Sequence, residues 1–221
     1  MAKDTNHIGE VGLRFFGKMS ATVSHEIKNG LAVINENAGL LKDLILMADK
    51  GRPLDPARVK SIAEKVLDRV ARADHVVQNL NRFAHQVDDP EAAVDLLDTL
   101  TLIVALTGRL AANRGKTVRV VPPEPAVRIT TNPFALLNLC WCCIEAAMDA
   151  APDKPELTVH IEKRPDGAEI RLSDVDDVDA FSRGLADGVG ALLAGHLQTE
   201  VAPDAAGRAI VLSLPEKLTP N

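Results

Sequence analysis

Tyrosine is absent from the chain, tryptophan occurs once, and aromatic residues make up only 3% of the 221 positions. Platforms that stack single-stranded nucleic acid are built from aromatic side chains, so this composition leaves them little to work with. Positive charge is not in excess: 31 acidic residues against 25 basic ones give a net charge of -6. A binder of the phosphate backbone carries the opposite sign. The cysteines, Cys140, Cys142 and Cys143, are odd in number and sit together, which argues against a disulfide framework and for a reducing compartment. No run approaches the ~20 apolar residues of a membrane span, and the start, Met1-Ala2-Lys3-Asp4-Thr5-Asn6, lacks the apolar stretch of a signal peptide. Neither nucleic acid nor membrane is expected as a partner, and the expected location is cytoplasmic. What is present, 46% hydrophobic and 25% charged residues, is ordinary for a soluble globular chain with a real core.

Apolar residues recur at Phe16, Met19, Val23, Ile27, Leu31, Ile34, Ala38, Leu41 and Ile45, always three or four apart. That is one buried helical stripe. Gly30 and Gly39 weaken it locally. The pattern stops at the turn-rich segment Asp49-Lys50-Gly51-Arg52-Pro53, and Asp55 with Pro56 supplies a cap and first position for a second helix. A second stripe runs through Val59, Ile62, Val66, Val70, Ala73, Val77, Leu80 and Phe83. Two long helices joined by a short loop lie antiparallel, and a lone hairpin has no third element to cover its seam. Pairing two hairpins into a four-helix bundle buries both stripes, so a homodimer is expected. The alternative is a second domain that folds back over the hairpin.

His25 lies two residues from Val23, about 200° around the helix, and so points away from the stripe. A neutral imidazole keeps a free lone pair on one ring nitrogen and can act as a nucleophile towards a phosphoryl group. Glu26 can orient the ring or accept its other proton. Asn29 shares the His25 face one turn on, and Lys18 and Lys28 are near enough in sequence to offset added negative charge. Spacing alone leaves His25 open between a solvated surface histidine and a nucleophile.

The wider string, Phe16-Gly17-Lys18-Met19-Ser20-Ala21-Thr22-Val23-Ser24-His25-Glu26-Ile27-Lys28-Asn29, resembles the phosphoacceptor box of sensor histidine kinases. It departs from that pattern at Gly30, where the family usually has proline. The resemblance implies His25 as phosphoacceptor, Glu26 as its acid/base neighbour and Asn29 as a helper in phosphotransfer or dephosphorylation. Leu80-Asn81-Arg82-Phe83-Ala84 looks like the close of the same family's hairpin. The expected boundary falls at Asp88-Asp89-Pro90: residues 1–87 a dimerisation and histidine-phosphotransfer hairpin, 88–221 an α/β domain.

In that second part, Leu96 to Ala112 has helical periodicity, Val118 to Val121 reads as a strand, and a short strand follows at Val127-Arg128-Ile129. Asn132 and Pro133 open a helix that runs to about Ala150. Strands at 157–161 and 168–172 flank the hairpin signal Pro165-Asp166-Gly167, a short helix covers Gly190 to Gln198, and 199–202 with 209–214 form a last hairpin. The sum is a two-layer sandwich with helices on one face of a mixed sheet. This order resembles the ATP-binding domain of histidine kinases, but the nucleotide boxes are degenerate. Asn138 matches the first asparagine of the family's asparagine box, whereas Cys142 stands where the magnesium-holding asparagine belongs, and a thiol is a poor ligand for a hard cation. Asp174 matches the adenine-reading acid, but Asp176 and Val178 replace two glycines, crowding the phosphate path and adding negative charge. About ten residues separate Val178 from Gly188, short for the family's lid, and Gly188-Val189-Gly190 is a thin remnant of its second glycine box.

No cofactor of the chain's own is therefore expected, neither ATP nor metal. The clustered cysteines read as buried small side chains rather than a metal site. His75, His85, His160 and His196 lack partners at ligand spacing, and His7 falls in a terminus expected to fray. Three functions follow from the resemblance. The leading one is a histidine phosphotransferase that carries a phosphoryl group on His25 between receiver-domain aspartates, with magnesium supplied by the receiver. The others are a histidine kinase autophosphorylating His25 through an aberrant ATP site, and a non-catalytic dimeric adaptor that binds receivers or a kinase. With about a dozen residues before the hairpin and no sensor domain there, input is expected from a partner such as an upstream kinase.

Overall fold

The computed structural model describes residues 2–178, 181, 188–204 and 206–219. The chain divides into two compact units, Ser20–Asn81 on one hand and Met1–Met19 with Arg82–Asn221 on the other. The expected lid, from 179 to 187, lies outside the described residues except at Phe181.

The first unit is the helical hairpin. Helix α1 spans Ala2–Asp49 and α2 spans Pro56–Ala84. Gly51 ends the first helix in the left-handed region at φ 82°, with its N–H donating to Ala48 and that of Arg52 to Met47. A glycine takes that conformation without a steric cost, which is why the helix stops there. Asp55 caps the second helix, its Oδ1 accepting from Ala57 N–H at 2.9 Å. Val23 and Ile62 are buried. Asn37 is also buried, and its Nδ2 satisfies itself on the Val33 carbonyl at 2.7 Å. A Cβ added at Gly30 would lie 3.9 Å from the Ala73 Cβ, so the two helices approach closely there. The remaining stripe is less covered: Leu31 is 54% exposed and Val70 49%, with Ile45 and Val77 also in solvent. Two helices offer one seam, and one seam cannot cover stripes of this width.

The second unit is a two-layer α/β sandwich. Strand β1 (Ala92–Asp95) leads into α3 (Leu96–Asn113), whose cap Asp95 accepts from Leu97 and Asp98 N–H. Next come β2 (Thr117–Val120), β3 (Arg128–Thr131) and α4 (Pro133–Asp149), the last capped by Asn132 through Ala135 N–H at 2.7 Å. Strands β4 (Glu156–Arg164) and β5 (Gly167–Ser173) form a hairpin, followed among the described residues by α5 (Val189–His196), β6 (Glu200–Asp204) and β7 (Ala209–Pro215). The main sheet has the order β2-β4-β5-β7-β6; β2 and β4 are parallel and the other neighbours antiparallel. Leu157, Val159, Ile161, Ile170, Leu172, Ile210 and Leu212 alternate onto its buried face. Helix α3 meets bilayer length and hydropathy, but its Leu96, Leu100, Ile103 and Leu106 are buried within this unit.

Two features of this unit go beyond the sequence reading. Strands β1 and β3 form a separate two-stranded antiparallel sheet, Val94 opposite Ile129, so β3 is no neighbour in the main sheet. Helix α1 begins at Ala2 rather than near Phe16, and His7, expected to fray, is helical with Nδ1 4.0 Å from Glu10. Packing explains the extension. Val11, Phe15 and Met19 are buried, and four of the chain's five phenylalanines cluster: Phe15–Phe83 and Phe16–Phe83 have centroids 5.5 Å apart, and Phe134 meets both Phe15 and Phe83. Such aromatic contacts offset the weak helix propensity of Gly9, Gly12 and Gly17.

Candidate functional site

Helical periodicity in α1 separates Val23, 1% exposed, from His25, which stands in solvent. Asn29, one turn on, is exposed on the same side, and Glu26 is half-buried. Glu26 and Asn29 also line a cleft of about 210 Å³ with Gly30 and Val33. Helix α2 contributes Arg69, Arg72, Ala73 and Val76 to the other wall. His25 is not among the lining residues; it adjoins them through Glu26. The sequence reading missed the two arginines. They could have been found by counting back equally along both helices from Gly51 and Arg52, which sets Ala73 level with Gly30. Arg72 Nε holds Asp68 at 3.0 Å, while Arg69 is half-buried.

Lys18 is committed elsewhere than expected. Its Nζ pairs with Glu145 of α4 at 3.0 Å and lies 5.0 Å from the centre of the Trp141 ring. Arg114 Nη2 meets the same Glu145 at 3.0 Å, completing a cation–carboxylate–cation arrangement over α4.

The positions that the resemblance matches to nucleotide boxes lie on α4 and in the loop after β5. Asn138 is 3% exposed; its Oδ1 accepts from the Cys142 thiol at 3.8 Å, and its Nδ2 has no partner among the described residues. Burial, reinforced by the Glu145 carboxylate, pushes the Cys142 thiol up to about 11, so it is neutral at physiological pH. Asp174 is exposed in the left-handed region at φ 70°. Asp176 forms an ion pair with Arg208, and the backbone N–H groups of Asp176 and Asp177 both donate to the Ala150 carbonyl. Val178 is half-buried. Cys140 and Cys143 are buried in the core with Leu100, Val159, Ile170 and Leu212 around them; burial raises Cys140 to about 12 and Cys143 well above the ordinary thiol value. Of the remaining histidines, His85 Nδ1 sits 2.8 Å from Asp88, His75 and His196 are exposed, and His160 is half-buried on β4.

No family model and no curated protein matches the sequence. Solved structures do. The chain is similar to histidine kinases. The ATP-binding domain of PrrB from Mycobacterium tuberculosis is 21% identical, with 58% of this chain and 98% of that one covered and a TM-score of 0.46. A bacterial phosphotransferase is 15% identical, covering 89% of this chain and 94% of that one with a TM-score of 0.47. Histidine kinase ThkA, in complex with response regulator protein TrrA, is 11% identical, covering 92% and 63% with a TM-score of 0.46. The likeness is one of fold.

Proposed function

We propose that the chain is a dimeric, cytoplasmic histidine phosphotransferase that shuttles a phosphoryl group between aspartates of receiver domains. The observation that carries this reading is the exposure of His25 on the face opposite buried Val23, inside the intact string Ser24 to Asn29. A ring nitrogen of His25 attacks the phosphorus of a receiver's aspartyl phosphate. The N–P bond forms as the P–O bond to aspartate breaks, and the carboxylate leaves with its electron pair. Glu26 accepts the proton on the other ring nitrogen and so favours the nucleophilic tautomer. Transfer to a second receiver is the reverse step. Arg69 and Arg72, across the cleft from Glu26 and Asn29, place positive charge beside the incoming phosphoryl group.

The residues present do not fit a magnesium nucleotide. Cys142 offers magnesium a neutral thiol where an oxygen is needed. Asp176, where a glycine would leave room for phosphates, carries a side chain tied to Arg208. Autophosphorylation from ATP is therefore not part of the proposal, and the magnesium of the reaction belongs to the receiver. Dimerisation is supported by the exposed leucine and valine side chains along both hairpin helices. The test is to incubate the protein separately with phosphorylated receiver domains and with labelled ATP. Label on histidine from the receiver alone is expected. Label from ATP would make it a kinase, and label from neither would leave it a binding partner only.

A further inference from the structure

The second unit holds a cleft of about 430 Å³ that the proposed phosphotransfer does not use. Its walls come from α1, the segment after α2, the start of α4 and α5, with Leu13, Phe16, Phe134 and Leu193 giving a mostly apolar lining. That volume falls within the range of small-molecule sites, about 300–1,000 Å³. Two asparagines line it. Asn132 is spent: its Oδ1 caps α4 and its Nδ2 donates to the Pro90 carbonyl at 2.9 Å. Asn138 is not, because its buried Nδ2 has no acceptor among the described residues. An unsatisfied buried donor costs free energy that a ligand acceptor would recover. None of the lining residues is Lys or Arg; Asp89 adds a carboxylate at the exposed end and His196 an imidazole. An anion would meet repulsion from Asp89 and no permanent counter-charge.

We propose that this cleft is a binding site for an uncharged, largely apolar small molecule bearing a hydrogen-bond acceptor, with the Asn138 amide, turned from its buried position towards the cleft, as the donor that orients it. The apolar walls contribute affinity through burial, and the single donor fixes which end of the molecule points inward. Gly9 lines the same cleft, and nothing lies within 4 Å of where its Cβ would stand, so a large side chain there enters the cleft without disturbing the helix.

The probe is prodan, an uncharged naphthyl ketone whose emission shifts to the blue in apolar surroundings, titrated into the full chain. One saturable site with blue-shifted emission is expected. Asn138→Leu, which removes the orphan donor, should weaken binding about tenfold, and Gly9→Trp should abolish it, both with unchanged helical circular dichroism. ATP should not displace the probe. Three results would overturn the proposal: no saturable binding, binding that neither variant alters (as expected if the probe sits on the exposed hairpin leucines), or displacement by ATP.

Discussion

Arg208 reaches from the turn before β7 to pair with Asp176 in the loop after β5. Arg171 of β5 and Asp204 of β6 form a second bridge, across the intervening strand β7. The first occupies the side chain of a residue that stands where the resemblance to the nucleotide box would have a glycine. Isothermal calorimetry with magnesium and ATP should accordingly detect no binding below the millimolar range. The paired variant Cys142→Asn, Asp176→Gly restores the oxygen ligand and the space, and any gain in affinity should appear only with both changes. Micromolar affinity of the unaltered chain would contradict this.

Local chemistry is what made most of the sandwich legible. Asn132-Pro133 caps a helix and Asp166-Gly167 turns a hairpin whatever surrounds them, and a Cβ at Gly167 would collide with the Leu214 carbonyl. The first turns of α1 were not legible, since Gly9, Gly12 and Gly17 argue against a helix and only the cluster on Phe83 and Phe134 overrides them. Strand β1 was missed because four residues, two of them alanine, carry little pattern until β3 pairs with them. At the candidate site, His25, Glu26 and Asn29 follow from one helix and one motif. Arg69 and Arg72 required the register between two helices, and the cleft beside Asn138 required four elements at once.

The hairpin's uncovered stripes support the proposed dimer. Light scattering at micromolar concentration should give about twice the chain mass. Val70, 49% exposed in the single chain, is expected in the seam, so Val70→Asp should weaken the dimer by several kcal/mol by placing an unpaired charge there. A monomer at high concentration would contradict the bundle.

The buried thiols make stability fall at alkaline pH. Cys140 ionises near 9 in the unfolded chain but only near 12 in the fold, so the unfolded chain releases its proton first. Stability from this group is complete below pH 9 and declines between pH 9 and 12, by up to about 4 kcal/mol. Urea unfolding at pH 7.5 to 10.5 reads the slope. Cys140→Val, which removes one of three raised thiols, should make it shallower, with Cys142 and Cys143 supplying the rest, and the chain has no tyrosine to titrate in the same range. An identical slope in the variant would place the alkaline loss elsewhere.

The arginines of the hairpin cleft should matter to rate more than to stability. Arg69→Ala and Arg72→Ala should each slow transfer from a phosphorylated receiver several-fold while moving the unfolding midpoint little, because Arg72 is exposed and its pair with Asp68 is worth at most about 1 kcal/mol. Glu26→Ala should slow transfer further, since general acid/base assistance contributes roughly 10²–10⁴-fold. Rapid-quench transfer assays beside urea unfolding separate the two effects, and equal losses of both would assign these residues to structure.

His25 decides the central claim. His25→Ala removes an exposed side chain, so it should change stability by no more than about 0.5 kcal/mol. His25→Gln keeps the polarity but lacks a comparable nucleophilic lone pair. The measurement is uptake of acid-labile phosphate from a phosphorylated receiver domain by the unaltered chain and both variants. Uptake by the unaltered chain and none by either variant, with dimer and helical content intact, is the expected result; uptake at the normal rate by His25→Ala would contradict it and direct the search to His75 or His85.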